Sequence, residues 1–193
     1  MKEAILRKAR ESAEIKMRFA EENAAALERC ARELAGRFAE GGRLFVMGNG
    51  GSACDAAHVA VEFVHPILER RRALPALALT SDGATLTAVG NDGDFARVFE
   101  DQLAVLARPQ DAVLGISTSG ASANVNRALA TARRRGLLTI AFAGRDGGRV
   151  PEVAEHAFVV KSWSIHRVQE THTLLLHLLW DLVHVALGEE DVL

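Results

Sequence analysis

The chain has 193 residues, 49% of them apolar and 25% charged, with a formal net charge of −2. That length supports one hydrophobic core, and the composition is that of a globular protein rather than a disordered or fibrous one. The near-neutral balance gives no electrostatic ground for binding nucleic acid or an anionic membrane, so neither is expected as a partner.

Residues 3–40 carry helical periodicity, with Phe19, Leu27, Cys30, Leu34 and Phe38 recurring near multiples of a turn. A helical hairpin is expected here, with a break before Glu22 and a role in oligomer contact. Short apolar runs then follow at 43–47, 73–79, 111–116, 137–142 and 157–160. They alternate with helix-like segments at about 52–69, 93–107, 121–135 and 165–188. Near-continuous apolar strands separated by helices predict a five-stranded parallel sheet covered on both faces, a three-layer α/β sandwich. No linker or repeat interrupts the pattern, so 1–193 reads as a single domain, with N-terminal helices over 1–40 and an α/β core over 41–193.

Cys30 and Cys54 have no CxxC or CxxH spacing and are too few for a disulfide framework. The first residues contain no apolar signal core, and the longest greasy stretch, Leu174 to Leu187, is too short to span a bilayer. A cytoplasmic, reduced protein is expected. The triplets Arg70-Arg71-Arg72 and Arg133-Arg134-Arg135 read as loop or helix-end charge, with recruitment of an anionic substrate as the alternative.

Two loops carry the functional signal. Gly48-Asn49-Gly50-Gly51-Ser52 and Ser117-Thr118-Ser119-Gly120-Ala121-Ser122 each close a predicted strand and open a predicted helix. Backbone N–H groups at a helix start, helped by Ser and Thr hydroxyls, bind phosphate because donors and dipole point at the anion. In a doubly wound sheet, ligands bind beyond the carboxyl ends of the strands, where both loops fall. Asn91-Asp92-Gly93-Asp94 is a third polar cluster, placed to cap a helix starting near Phe95.

On the helix after the first loop, His58 and Glu62 lie four residues apart and share a face. Gln169 and His177 share a similar face of the last helix. Two imidazoles, a carboxylate and an amide oxygen suit Zn²⁺ or a comparable divalent ion. The same His/Glu spacing also serves ordinary surface pairs. His177 sits among five leucines, so it needs a partner, a ligand or a cavity edge. His172 and His184 read as packing or interface residues, and Cys54 as a small core residue. Asp55, three residues before His58, is placed to orient its ring.

The ordered series of motifs resembles the SIS (sugar isomerase) domain family, and within it the phosphoheptose isomerases. It runs from Gly48-Asn-Gly-Gly-Ser-Ala-Cys-Asp-Ala-Ala-His58 and Glu62 through Thr87-Ala-Val-Gly-Asn-Asp92. It continues through Gly115-Ile-Ser-Thr-Ser-Gly-Ala-Ser-Ala-Asn124, Gly144-Arg-Asp-Gly-Gly148 and Arg167-Val-Gln-Glu170 to His177. The resemblance implies a flavodoxin-like sheet and a homotetramer with shared active sites. It implies conversion of sedoheptulose 7-phosphate to D-glycero-D-manno-heptose 7-phosphate, the entry to bacterial heptose and lipopolysaccharide core precursors. By the same resemblance His58, Glu62, Gln169 and His177 hold one zinc ion per subunit, with Glu62 as base and His177 as acid. Substrate contacts are implied for Asn49, Gly50, Gly51, Glu62, Asn91, Asp92, Ser117, Thr118, Ser119, Ser122 and Gln169, the phosphate falling to the serine-rich loop.

One departure is visible. Where these isomerases continue after the zinc-site glutamate with a Gly-Arg pair, this chain reads His65-Pro66. The proline should end the helix early, and Arg70, Arg71 or His65 are candidates for the missing base. An isomerase of another sugar phosphate is therefore one alternative. A non-catalytic SIS protein, regulatory or bound to a replication initiator, is another, and the presence of Glu62, Gln169 and His177 weighs against it.

Overall fold

A computed structural model of the chain describes residues 1–67 and 71–191. Five strands, β1 (Leu44–Gly48), β2 (Ala76–Ala78), β3 (Ala112–Ser117), β4 (Leu138–Gly144) and β5 (His156–Val160), form one sheet in the order β2-β1-β3-β4-β5. All four pairings are parallel. Successive strand residues point to opposite faces, and both faces are covered, which is why the strands read as unbroken apolar runs. Leu44, Val46, Leu114, Ile116, Ile140 and Phe142 pack on one side. Phe45, Met47, Val113 and Ala141 pack on the other. The expected three-layer α/β architecture is present.

The first layer is α1 (Lys2–Ala39), α2 (Gly51–Val64) and α7 (Ile165–Ala186); the second is α4 (Val98–Leu106), α5 (Ala123–Arg134) and the short α6 (Val150–Val153). The helical hairpin expected over 3–40 is not formed. α1 is a single helix of 38 residues that continues through Glu22. No glycine or proline occurs before Gly36, and Ala, Glu, Lys and Arg fill the exposed positions, so nothing local breaks the helix. Its C-terminal half buries Leu27, Cys30, Leu34 and Phe38, whereas residues 2–18 stand exposed or half-exposed.

Two further differences concern boundaries. α2 stops at Val64, short of the expected 69, because the residue before Pro66 is barred from continuing a helix. A helix absent from the sequence reading, α3 (Gly83–Asp92), lies between β2 and α4 and buries no residue. It starts at Asp82, whose carboxylate accepts from the N–H groups of Ala84 and Thr85 at 3.0 and 3.1 Å. Asn91 and Asp92 are therefore the last turn of α3, and only Asp94 acts as the expected cap, accepting from Ala96 N at 2.9 Å ahead of a 3₁₀ turn.

The start of the sheet is pinned by a buried carboxylate. Asp111 accepts from Arg43 N at 2.8 Å, Arg43 Nη2 at 2.9 Å and Arg108 N at 2.8 Å. Burial pushes this carboxyl upward, but the Arg43 guanidinium and the backbone donors outweigh it and hold the group below its ordinary range. A depressed folded value means that the group stabilises the fold fully at neutral pH, and that this contribution fades as pH falls through the folded value. Asp111→Ala should cost about 2–3 kcal/mol at pH 7 by urea unfolding, with the gap to wild type closing in strong acid.

The Arg133-Arg134-Arg135 triplet ends α5, where cations complement the helix dipole. Arg135 also donates to the carbonyls of Leu103 and Ala107, 2.7 Å each, at the end of α4. No helix among the described residues is long and apolar enough to cross a membrane.

Candidate active site

The chain order reverses between β1 and β3, and Gly48 at the end of β1 pairs with Ile116 near the end of β3. Both glycine-serine loops therefore leave the same edge of the sheet side by side, at the crevice where such sheets bind ligands. Reciprocal amide hydrogen bonds join them. Asn49 Nδ2 donates to Asn124 Oδ1 and Asn124 Nδ2 donates to Asn49 Oδ1, each at 2.9 Å. The Asn49 side chain, expected to touch substrate, is thus engaged as a strut between the loops. Asn124 gave no signal of its own because its partner lies 75 residues away.

In the second loop, the Ser117 and Ser122 hydroxyls are 2.9 Å apart, and Ala121 N donates to Ser119 Oγ at 3.2 Å. Ser122 is the N-cap of α5 but makes no side-chain cap hydrogen bond. Val125 N donates to Asn124 Oδ1 at 3.0 Å, while Ser122 leaves the rest of the first turn of α5 without a side-chain cap among three serine hydroxyls, which is the setting an anion favours. Gly120 takes φ +65° in this loop. Its carbonyl accepts from Asn126 Nδ2 and Arg149 N, both at 3.0 Å.

α2 presents His58 and Glu62 beside the inner face of α7. The residues that bury the helix against the sheet are Ser52, Ala56, Val59 and Phe63. His58 and Glu62 fall on the flank of that stripe and remain half-buried. His58 Nε2 lies 3.2 Å from Glu62 Oε1. The His58 and His177 rings meet edge to face with centroids 5.0 Å apart. One donor atom from each of His58, Glu62 and His177 lies within 4.8 Å of the others, as a shared divalent ion requires. Gln169, two turns before His177 on α7, lays its amide against the start of α2. A Cβ on Gly51 would come within 2.2 Å of Gln169 Nε2, so a larger residue there would push the Gln169 amide aside.

Elsewhere the structure separates residues the sequence grouped. Asn91 and Asp92 are exposed, and Asn91 Nδ2 donates to Asp92 Oδ1 at 2.7 Å. No hydrogen bond links them to the metal-type cluster among the described residues. The hydrogen bond expected from Asp55 to His58 is also absent. Asp55 Oδ2 is buried without a partner; burial pushes its carboxyl up, and the nearby His58 ring pulls the other way. Cys54 is exposed, not core, because the buried stripe of α2 passes two residues to either side of it.

His172 and His184 are core residues, as expected. His172 Nε2 donates to Ala143 O at 3.1 Å, and burial lowers its pKa to about 4, so it stays neutral. Of the bases considered as replacements for Gly-Arg, His65 is exposed at the end of α2 and Arg70 lies outside the described residues. Arg71 points away from the crevice and is buried against Asp181.

Parallel strands in this order, with two polar loops at the switch point and a His-Glu-His cluster between two helices, define a doubly wound α/β domain with a candidate site at its switch point. A family model for the SIS domain matches residues 9–144. A phosphoheptose isomerase of Aquifex aeolicus is 45% identical over 182 residues, covering 94% of this chain and 95% of that protein. One from Solidesulfovibrio magneticus is 47% identical, covering 93% and 87%. The solved structure of a phosphoheptose isomerase from Francisella tularensis superposes with a TM-score of 0.89 at 32% identity, over 95% of this chain and 97% of that one. The chain belongs to the SIS domain family and, within it, to the phosphoheptose isomerases.

Proposed function

We propose that this protein is an aldose–ketose isomerase that converts sedoheptulose 7-phosphate to D-glycero-D-manno-heptose 7-phosphate, supplying bacterial heptose and lipopolysaccharide core precursors. The observation that carries the reading is the convergence of His58, Glu62 and His177 within 4.8 Å, the first two on a helix whose opening loop is joined to the start of α5 by the Asn49–Asn124 pair. Both parts are needed: the loop alone would serve a sensor of sugar phosphates, whereas acid and base groups serve a reaction.

The phosphate binds at the start of α5 among Ser117, Thr118, Ser119 and Ser122, with the sugar running toward Gly50, Gly51 and Gln169. Glu62 takes a proton from C1 of the ketose while His177 gives one to the C2 carbonyl oxygen, leaving a cis-enediol. His177 then receives the O1 proton and Glu62 returns its proton to C2, which completes the aldose. The donor set fits a divalent ion, zinc in our reading, held one per subunit by His58, Glu62, Gln169 and His177. Such an ion would polarise the sugar oxygens and stabilise enediolate charge.

We further propose a homotetramer in the cytoplasm whose subunits share sites, so that Asn91 and Asp92 reach substrate across a subunit contact. Supporting this, Val61 and Val64 flank Glu62 on α2 while 51% and 49% exposed, and no residue of α3 is fully buried within its own chain. Two unpaired cysteines favour a reducing compartment.

The test is direct turnover of a panel of ketose phosphates, with metal analysis on the same sample. Sedoheptulose 7-phosphate should be the preferred substrate. Preference for another sugar phosphate would move the assignment within the isomerases, and no turnover of any would favour a binding protein. Ser119→Ala should raise KM for the phosphorylated sugar about tenfold with little change in kcat. An unchanged KM would remove Ser119 from phosphate recognition.

A further inference from the structure

Below the candidate metal ligands, α7 carries a second polar cluster that the reaction does not use. Arg71, in the segment after α2, extends under α7 with its side chain 3% exposed, and the Asp181 side chain is 9% exposed. Arg71 Nη2 donates to Asp181 Oδ1 at 2.5 Å and to Glu190 O at 2.9 Å, while Nη1 donates to the main-chain carbonyl of Asp181 at 3.4 Å. The guanidinium carbon also lies 4.6 Å from the centre of the Trp180 ring.

This cluster is poorly built for stability alone. Among the described residues, Arg71 Nε and Trp180 Nε1 are buried without hydrogen-bond partners. Each orphan donor carries a desolvation cost, and a buried ion pair is often matched or exceeded in stability by apolar residues of similar size. What a forked guanidinium supplies is geometry, because it fixes direction and distance together.

The position of the pair says what geometry it fixes. Gln169, Thr173, His177 and Asp181 follow one another at four-residue steps along α7, so Asp181 continues the strip that holds two of the proposed metal ligands. The other two, His58 and Glu62, are on α2. Near this pair, Phe63 of α2 stacks on His184 of α7, with centroids 6.3 Å apart and planes at 20°. Leu74 N, three residues past Arg71, donates to the Phe63 carbonyl at 2.7 Å, which ties the Arg71 segment to α2. Stacked rings tolerate sliding. An arginine gripping both the carboxylate and the carbonyl of one residue does not. Metal–ligand distances must hold to about 0.2 Å, so the register of α7 against α2 has to be set by something rigid.

We infer that Arg71 and Asp181 are a positioning pair that sets the register of α7 against α2 and thereby the spacing of the metal ligands. This rests on the reading of His58, Glu62, Gln169 and His177 as ligands. The test compares wild type with R71M/D181L, measuring Zn²⁺ affinity by competition with a chromophoric chelator and Tm of the metal-free proteins. The double variant should keep a Tm within about 3 °C of wild type, or above it, while its Zn²⁺ dissociation constant rises about tenfold or more. A dissociation constant within twofold of wild type would overturn the inference, whatever the Tm. Should R71M/D181L not fold, R71K answers the same question, since it keeps the charge and loses the fork; weakened Zn²⁺ binding at unchanged Tm supports the inference and unchanged binding overturns it. Wild type that takes up no divalent metal would remove the metal reading itself, and this inference with it.

Discussion

Glu62→Gln is expected to lower turnover about 1,000-fold or more while leaving the fold intact. Glutamine keeps the shape and one ligand oxygen but cannot accept the carbon-bound proton. Glu62 is half-buried on the flank of α2, with His58 Nε2 at 3.2 Å as its neighbour, so the core does not depend on its charge. Tm should therefore move little. Steady-state turnover and thermal unfolding, measured on one preparation, separate the two effects. Turnover within tenfold of wild type would take the base role away from Glu62.

Gly120→Ala should have the second-largest effect, and through the backbone. Gly120 is buried at φ +65°, and a Cβ there would lie 2.0 Å from Gly147 O and 2.8 Å from Gly148 N. Both are main-chain atoms, so no side chain can swing aside. Relief requires moving the turn at Gly147 and Gly148, which strains the hydrogen bonds that Asn126 and Arg149 make to the Gly120 carbonyl. A loss of about 3 kcal/mol is expected, together with a KM for the phosphorylated sugar raised about tenfold in the protein that still folds. Chemical denaturation and initial-rate kinetics check the two parts. Wild-type stability and KM would show that the serine loop is less constrained than its contacts require.

The sheet was legible in the sequence because parallel strands buried on both faces leave unbroken apolar runs, and β1, β3 and β4 are buried along their whole length. α3 was not legible, since it is short and lays only Leu86 and Val89, both partly buried, on the core. The break expected in α1 before Glu22 is absent because no glycine or proline stands there to end the helix. The helix is continuous, and only its full burial begins at Phe19; Ser12 already donates to Glu170 Oε2 at 2.6 Å.

For the site, the His58–Glu62 spacing and the loops at the strand ends could be read locally. Their meeting with His177 depends on α7 returning beside α2, and the resemblance supplied that. Pairings made by the folded sheet alone, Asn49 with Asn124 across 75 residues and Arg71 with Asp181 across 110, left no trace in spacing. Arg71 illustrates the difficulty. In sequence it is one of three arginines near a missing base, and in the fold it is a buried strut.

The central claim is that the His58, Glu62, Gln169 and His177 group is a metal-dependent isomerase centre. Its most direct test is the turnover of sedoheptulose 7-phosphate by the purified wild type, before and after chelation, with metal content determined on each sample. We expect about one divalent ion per chain, aldose formation that is lost on chelation, and recovery when Zn²⁺ is restored. Full turnover by the metal-free protein, or none by the fully loaded one, would contradict the account.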